Sequence, residues 1–208
     1  MAKKPSRDML TAGLVGSYLL ASAWGILFIS ALIMLFVGSD NVGLQLGVNL
    51  AGIAIISGVL WVGGAICEGI GWIGLGRLHV GLPRVIGWLE GSLPVLSLVG
   101  LGIVTSAFRS AEAVAHGLII LQIAHYSLAL AWLLPRRPRA RALPAVIGYA
   151  LALAGGVGIY VLALVRAEPE LVMTTLVFMG LGGATVAHLS TGLFFASQRL
   201  LADSVNTF

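Results

Sequence analysis

Six long apolar runs, separated by short polar turns, limit what this chain can fold into. A helix needs about 20 mostly apolar residues to cross roughly 30 Å of hydrocarbon. The runs cover residues 10–37, 42–75, 85–108, 114–134, 145–165 and 171–197. They predict an all-α polytopic membrane protein: one six-transmembrane-helix bundle, with residues 1–208 forming a single membrane domain. The stops between runs are Gly38-Ser39-Asp40-Asn41, Pro83-Arg84 and the basic stretch from Pro135 to Arg141. The first run is longer than the ~7–15-residue core of a cleaved signal, so it is expected to stay as the first helix.

Composition supports this reading. Charged residues make up 10% of the chain and hydrophobic ones 59%, whereas soluble domains carry about 25% charged residues to coat their surface. A lone cysteine, Cys67, excludes a disulfide scaffold and is expected to fill space as a buried thiol. The basic excess is divided between apolar runs and forms no groove-sized patch, so no nucleic-acid partner is expected.

The few charges carry topological information. Ten of the twelve Lys and Arg residues fall at the N-terminus, in the second and fourth connections, or near the C-terminus. Arg109 and Arg166 alone fall on the other side. The positive-inside rule then places both termini in the cytoplasm of a cell (plasma or inner) membrane, N-in and C-in.

Glycine occurs 28 times, about twice the usual ~7%. Lipid gives helices no hydrophobic reason to associate, so small residues that let backbones approach take over that role. Gly43/Gly47 and Gly87/Gly91 are GxxxG pairs, and Ala21/Gly25, Ala154/Gly158 and Gly180/Ala184 are looser versions. Beyond the lipid bilayer itself, the expected partners are other membrane subunits or a second copy, docked through such faces.

Two of the eight acidic residues, Glu68 and Glu90, lie inside apolar runs. An intramembrane carboxylate is expensive unless protonated, paired or wetted, which marks it as a functional candidate. Glu68 reads as close enough to the cytoplasmic end of its helix to snorkel. Glu90 lies deeper, and Pro94 leaves its backbone carbonyl without a helical donor. At 100° per residue, Glu90, Ser97 and Thr105 share a face of the third helix, and Thr185 and His188 share one on the sixth. Asn41, Gln45 and Asn49 form a stripe at the outer end of the second helix, and Gln122 and His125 lie together on the fourth. Rise per residue, counted along the runs, places Glu90 and His188 at similar depth, and the two are expected to interact directly or through water. His116, one turn after Glu112, reads as part of an outer-surface ion cluster. His125 and His188 are the best pair for a b-type haem, but the same count separates their depths by roughly 9 Å. No Cys/His spacing suggests a metal.

Motif chemistry is sparse. The run Ala187-His188-Leu189-Ser190-Thr191-Gly192 is similar to the last core helix of rhomboid proteases over those residues alone. That family's Gly-x-Ser-Gly nucleophile is missing from the fourth run, so no acyl chemistry follows. There is no HExxH, P-loop or dinucleotide fingerprint. The sequence therefore favours a non-catalytic integral subunit or accessory protein of a larger, energy-converting membrane complex. Second comes a small-solute, ion or proton-linked transporter or channel with a polar path using Glu90 and His188. Third comes a b-haem protein or another integral membrane enzyme.

Overall fold

The computed structural model describes residues 7–37, 44–108, 111–134, 143–165 and 170–204. Within these, the side chains of 36–37, 44–51, 98, 101–108, 111–115 and 201–204 lie outside the description. The described residues form six helices: α1 (Arg7–Val37), α2 (Leu44–Arg77), α3 (Leu82–Phe108), α4 (Ala111–Leu133), α5 (Leu143–Val165) and α6 (Glu170–Ser204). Helices satisfy every backbone group within one segment, which hydrocarbon demands of any spanning element. Over their described residues α1, α2, α4, α5 and α6 are long and apolar enough to cross a membrane. The architecture is the expected helical membrane bundle.

Several boundaries differ from the sequence reading, for identifiable reasons. The third and fifth helices start at Leu82 and Leu143, not at residues 85 and 145. Each thereby takes a proline, Pro83 or Pro144, into its first turn, where a missing N–H is no loss. Gly81, at φ 72°, makes the left-handed turn into α3, and its carbonyl accepts from the Arg84 N–H at 3.1 Å. Similarly, α2 runs on to Arg77, two residues beyond the expected stop.

The principal packing pairs are α1 with α2, α2 with α3, α3 with α4, α4 with α5, α5 with α6, and α6 with α1. The helices thus close a ring in chain order. Glycine contacts set its tightest seams. A side chain on Gly16 would strike the α2 backbone at Glu68, and one on Gly64 would come within 2.9 Å of the Leu20 backbone nitrogen. Gly87 and Gly91 fit against Gly76 and Gly69 of α2 in the same way, so this GxxxG pair packs two helices of the chain itself. Across α5 and α6, Gly148 and Gly155 face Ala187 and Gly180. Gly43 and Gly47 lie outside the described side chains.

The outward faces are aliphatic, with Ile55, Val59, Val95, Val161 and Leu193 exposed. Inside the ring, Trp72 meets Trp132 and Phe195 edge-on at 5.3 and 5.7 Å, and Trp132 meets Phe194 and His79. The Arg77 guanidinium lies over Trp88 and donates to Met9 Sδ at 3.6 Å, which gathers the start of α1 and the α2–α3 turn at one end of the bundle. Because Phe195 packs on Gly13, the last turns of α6 reach that end as well.

Candidate functional site

Four ionisable side chains from four helices meet inside the ring. Glu68 of α2, Glu90 of α3 and His188 of α6 are each 1% exposed, and His125 of α4 completes the group. His188 Nδ1 pairs with Glu68 Oε2 at 2.9 Å. His125 Nδ1 pairs with Glu90 Oε1. The two imidazoles lie parallel, 8° apart in plane, with centroids 5.4 Å apart. Two carboxylate–imidazole pairs therefore stand side by side, linked through their rings.

Glu68 is the most heavily held of the four. Its Oε1 accepts from the Trp72 indole N–H at 3.0 Å and from the Tyr149 hydroxyl at 3.4 Å. Tyr149 shares a further hydrogen bond with Thr191 at 3.0 Å. Trp72 is one turn along α2 from Glu68, so the helix itself sets that contact. Tyr149 reaches the site because Gly148 beside it lets α5 lie against the α6 backbone. Tyr126 stacks at a tilt beside His125, at 5.2 Å, and closes the α4 side. Elsewhere the group is less fully satisfied. His125 Nε2 and Glu90 Oε2 are buried without a hydrogen-bond partner among the described residues.

Between these groups lies a cavity of about 40 Å³, lined among others by Glu68, Glu90, Ser97, Gln122, His125 and His188. This is room for water or a small ion, since one water needs roughly 10–15 Å³ by this measure. Towards the end bearing Arg77, the Trp72–Trp132–Phe195 layer closes it off. Towards the other end, Trp61 and Gln122 are shared with a second, apolar chamber of about 560 Å³. That chamber is lined by Leu27, Ile119, Ile159 and Val177, and contains Ser57 Oγ and Trp24 Nε1, which have no hydrogen-bond partner among the described residues.

The geometry corrects several expectations. The direct partner of His188 is Glu68, while Glu90 takes His125; Glu90 and His188 share only the lining of one cavity. Glu68 does not turn outward to snorkel: it is 1% exposed, and its carboxylate is held inside the ring by Trp72, Tyr149 and His188. The separation in depth between His125 and His188 is likewise overturned by their parallel rings. Counted from the helix ends at Arg77, Leu82 and Leu133, Glu68, Glu90 and His125 lie about 14, 12 and 12 Å in, whereas α6 runs on to Ser204, about 24 Å past His188, so helix ends alone do not give the common height.

The two histidines do not fit a bis-histidine haem. Their shared cavity admits a small ion and not a macrocycle, and neither lines the larger chamber. Among the described residues the expected polar path is met in part. Ser97 and Gln122 do line the cavity, but the Thr185 hydroxyl donates to the Leu181 carbonyl of its own helix at 2.8 Å, and the adjoining chamber is apolar. Asn41 and the side chains of Gln45, Asn49, Thr105 and Glu112 lie outside the described residues. His116 sits edge-on to Tyr160 at 5.7 Å. Trp72, Tyr149 and Thr191 belong to the site without having been singled out. Trp72 and Thr191 lie four and three residues from Glu68 and His188, a spacing that was legible; Tyr149 had no such signal.

No family model, curated protein or solved structure matches the chain.

Proposed function

We propose that this chain is a cation-linked membrane transporter whose working centre is the Glu68–Glu90–His125–His188 cluster. The observation that carries the reading is the convergence of two carboxylates and two imidazoles, from four helices, on one small cavity inside a closed ring. Ionisable groups are placed at such depth at a cost of several kcal/mol, and packing alone gives no reason to retain them. The carboxylate–imidazole pairs hold and release a cation or proton, and the aromatic layer is the barrier on the side that the positive-inside rule makes cytoplasmic. An accessory-subunit role explains the small-residue seams but gives the four ionisable groups no task.

The test is flux in proteoliposomes containing the full chain. Under an imposed membrane potential, wild type carries H⁺, Na⁺, K⁺ or Zn²⁺ above the rate of protein-free vesicles, and Glu68→Gln and Glu90→Gln do not. Wild-type rates equal to protein-free vesicles for all four ions overturn the reading.

A second reading, an integral membrane enzyme for an apolar substrate, is favoured by the ~560 Å³ chamber and its two unpartnered polar groups. Under it, an apolar molecule occupies the chamber with its reactive end towards Gln122. Mass spectrometry of the purified protein would show one lipid-like species retained by wild type and lost from Gly156→Leu.

A further inference from the structure

The structure assigns a divalent transition-metal site to Glu68, His125 and His188, with Glu90 holding His125 in place. The inference deepens the transport reading by naming the cation, and it rests on that reading only for the claim that the bound ion moves.

One ligand-capable atom from each of Glu68, His125 and His188 lies within 4.8 Å of the other two. Bonds of about 2.0–2.2 Å to a tetrahedral ion place ligand atoms roughly 3.3–3.6 Å apart. Hence the trio closes onto an ion by side-chain shifts of about an ångström. His188 Nδ1 and Glu68 Oε2, at 2.9 Å, already sit closer than that spacing. The cavity is of the right size for an ion and a bound water.

Two further features point to a ligand at this place. His125 Nε2 is buried without a partner among the described residues, and a buried ring nitrogen so placed calls for water or an ion. Moreover, the other nitrogen of that ring is held by Glu90, and a carboxylate on the far nitrogen of an imidazole is how metal-binding histidines are commonly oriented. Trp72 and Tyr149 do the corresponding work for Glu68, fixing its Oε1 and leaving Oε2 to the site.

The donor set selects the ion. Two imidazoles and one carboxylate suit Zn²⁺ and its first-row neighbours; Mg²⁺ and Ca²⁺ prefer oxygen alone, and Cu⁺ prefers sulfur. The rings bind as neutral ligands and Glu68 as the carboxylate, so the proton shared between Glu68 and His188 Nδ1 leaves for solvent when the ion enters.

The experiment uses the full chain in detergent, stripped with chelator and titrated with Zn²⁺ and, separately, Co²⁺. Wild type binds one ion per chain, the Co²⁺ form shows visible ligand-field bands, and X-ray absorption of the Zn²⁺ form gives two imidazoles in the first shell. Zn²⁺ heats measured in two buffers of different ionisation enthalpy reveal proton release. His188→Gln and Glu68→Gln lower affinity by at least about a hundredfold. Glu90→Gln lowers it by about 10–100-fold while keeping the two-imidazole signature, as expected of a positioning residue. His116→Gln leaves binding unchanged. If wild type retains no stoichiometric ion, or X-ray absorption finds fewer than two imidazoles, the assignment is wrong whether or not the variants fold. Proton flux without metal binding would overturn this inference alone; metal binding without flux of any ion would overturn the transport reading alone.

Discussion

Glu68 and His188 stand 120 positions apart in the sequence and 2.9 Å apart in the bundle, where their side chains share a hydrogen bond with both residues almost fully buried. Removing one partner of such a pair leaves the other buried and uncompensated, at about 3–5 kcal/mol. Glu68→Gln and His188→Gln are each expected to lose stability on that scale. The double variant is expected to lose less than the sum by more than about 1 kcal/mol. Unfolding in mixed micelles measures all four corners of the cycle. Additivity of the two losses would mean that the pair is not coupled.

Trp72→Phe keeps an aromatic ring against Trp132 and Phe195 but removes the N–H that Glu68 accepts at 3.0 Å. A hydrogen bond to an ionised group is worth about 1.5–3 kcal/mol, so a thermal-stability loss in that range is expected with the helical content unchanged. Trp72→Leu should lose more, because the edge-on contacts go as well.

Adjacent glycines on α2 should respond oppositely to alanine. A Cβ on Gly64 comes within 2.9 Å of Leu20 on α1, whereas one on Gly63 has nothing within 4 Å. Gly64→Ala is expected to destabilise by about 1–3 kcal/mol through overpacking. Gly63→Ala is expected to be neutral or to stabilise by up to about 1 kcal/mol, since alanine is the better helix former. The two melting curves, run side by side, decide it.

Trp132 is the α4 member of the aromatic layer, packed on Trp72, Phe194 and His79. Trp132→Ala is expected to cost about 3–5 kcal/mol and to open the cavity towards the end bearing Arg77. A Ser97→Cys reporter in a Cys67→Ser background should then react faster with a water-soluble thiol reagent added from that side. An unchanged labelling rate would show that the barrier lies elsewhere.

Which features were legible in the sequence follows from the range of the interactions involved. The helices could be read because length and apolarity are local; the ends moved by a few residues, as where α3 and α5 take Pro83 and Pro144 into their first turns and where α6 runs on to Ser204. Glu68 and Glu90 stood out because a carboxylate in an apolar run is conspicuous in any register. The pairing of acids with histidines was not legible. It depends on the height and rotation of helices far apart in the chain, and a count along each run does not fix the height of one helix against another. Tyr149 shows the limit most clearly: nothing near it marks a tyrosine that reaches both Glu68 and Thr191.

Because the ring closes in chain order, its two halves are chemically unequal. The amino-terminal three helices bring both buried acids of the cluster, and the carboxy-terminal three bring both imidazoles. During synthesis the first half therefore enters the bilayer with two acids whose counter-groups have not yet been made. They are relieved when α4 docks on α3 and α6 docks on α1. A chain ending after α3 would therefore hold both acids without either imidazole.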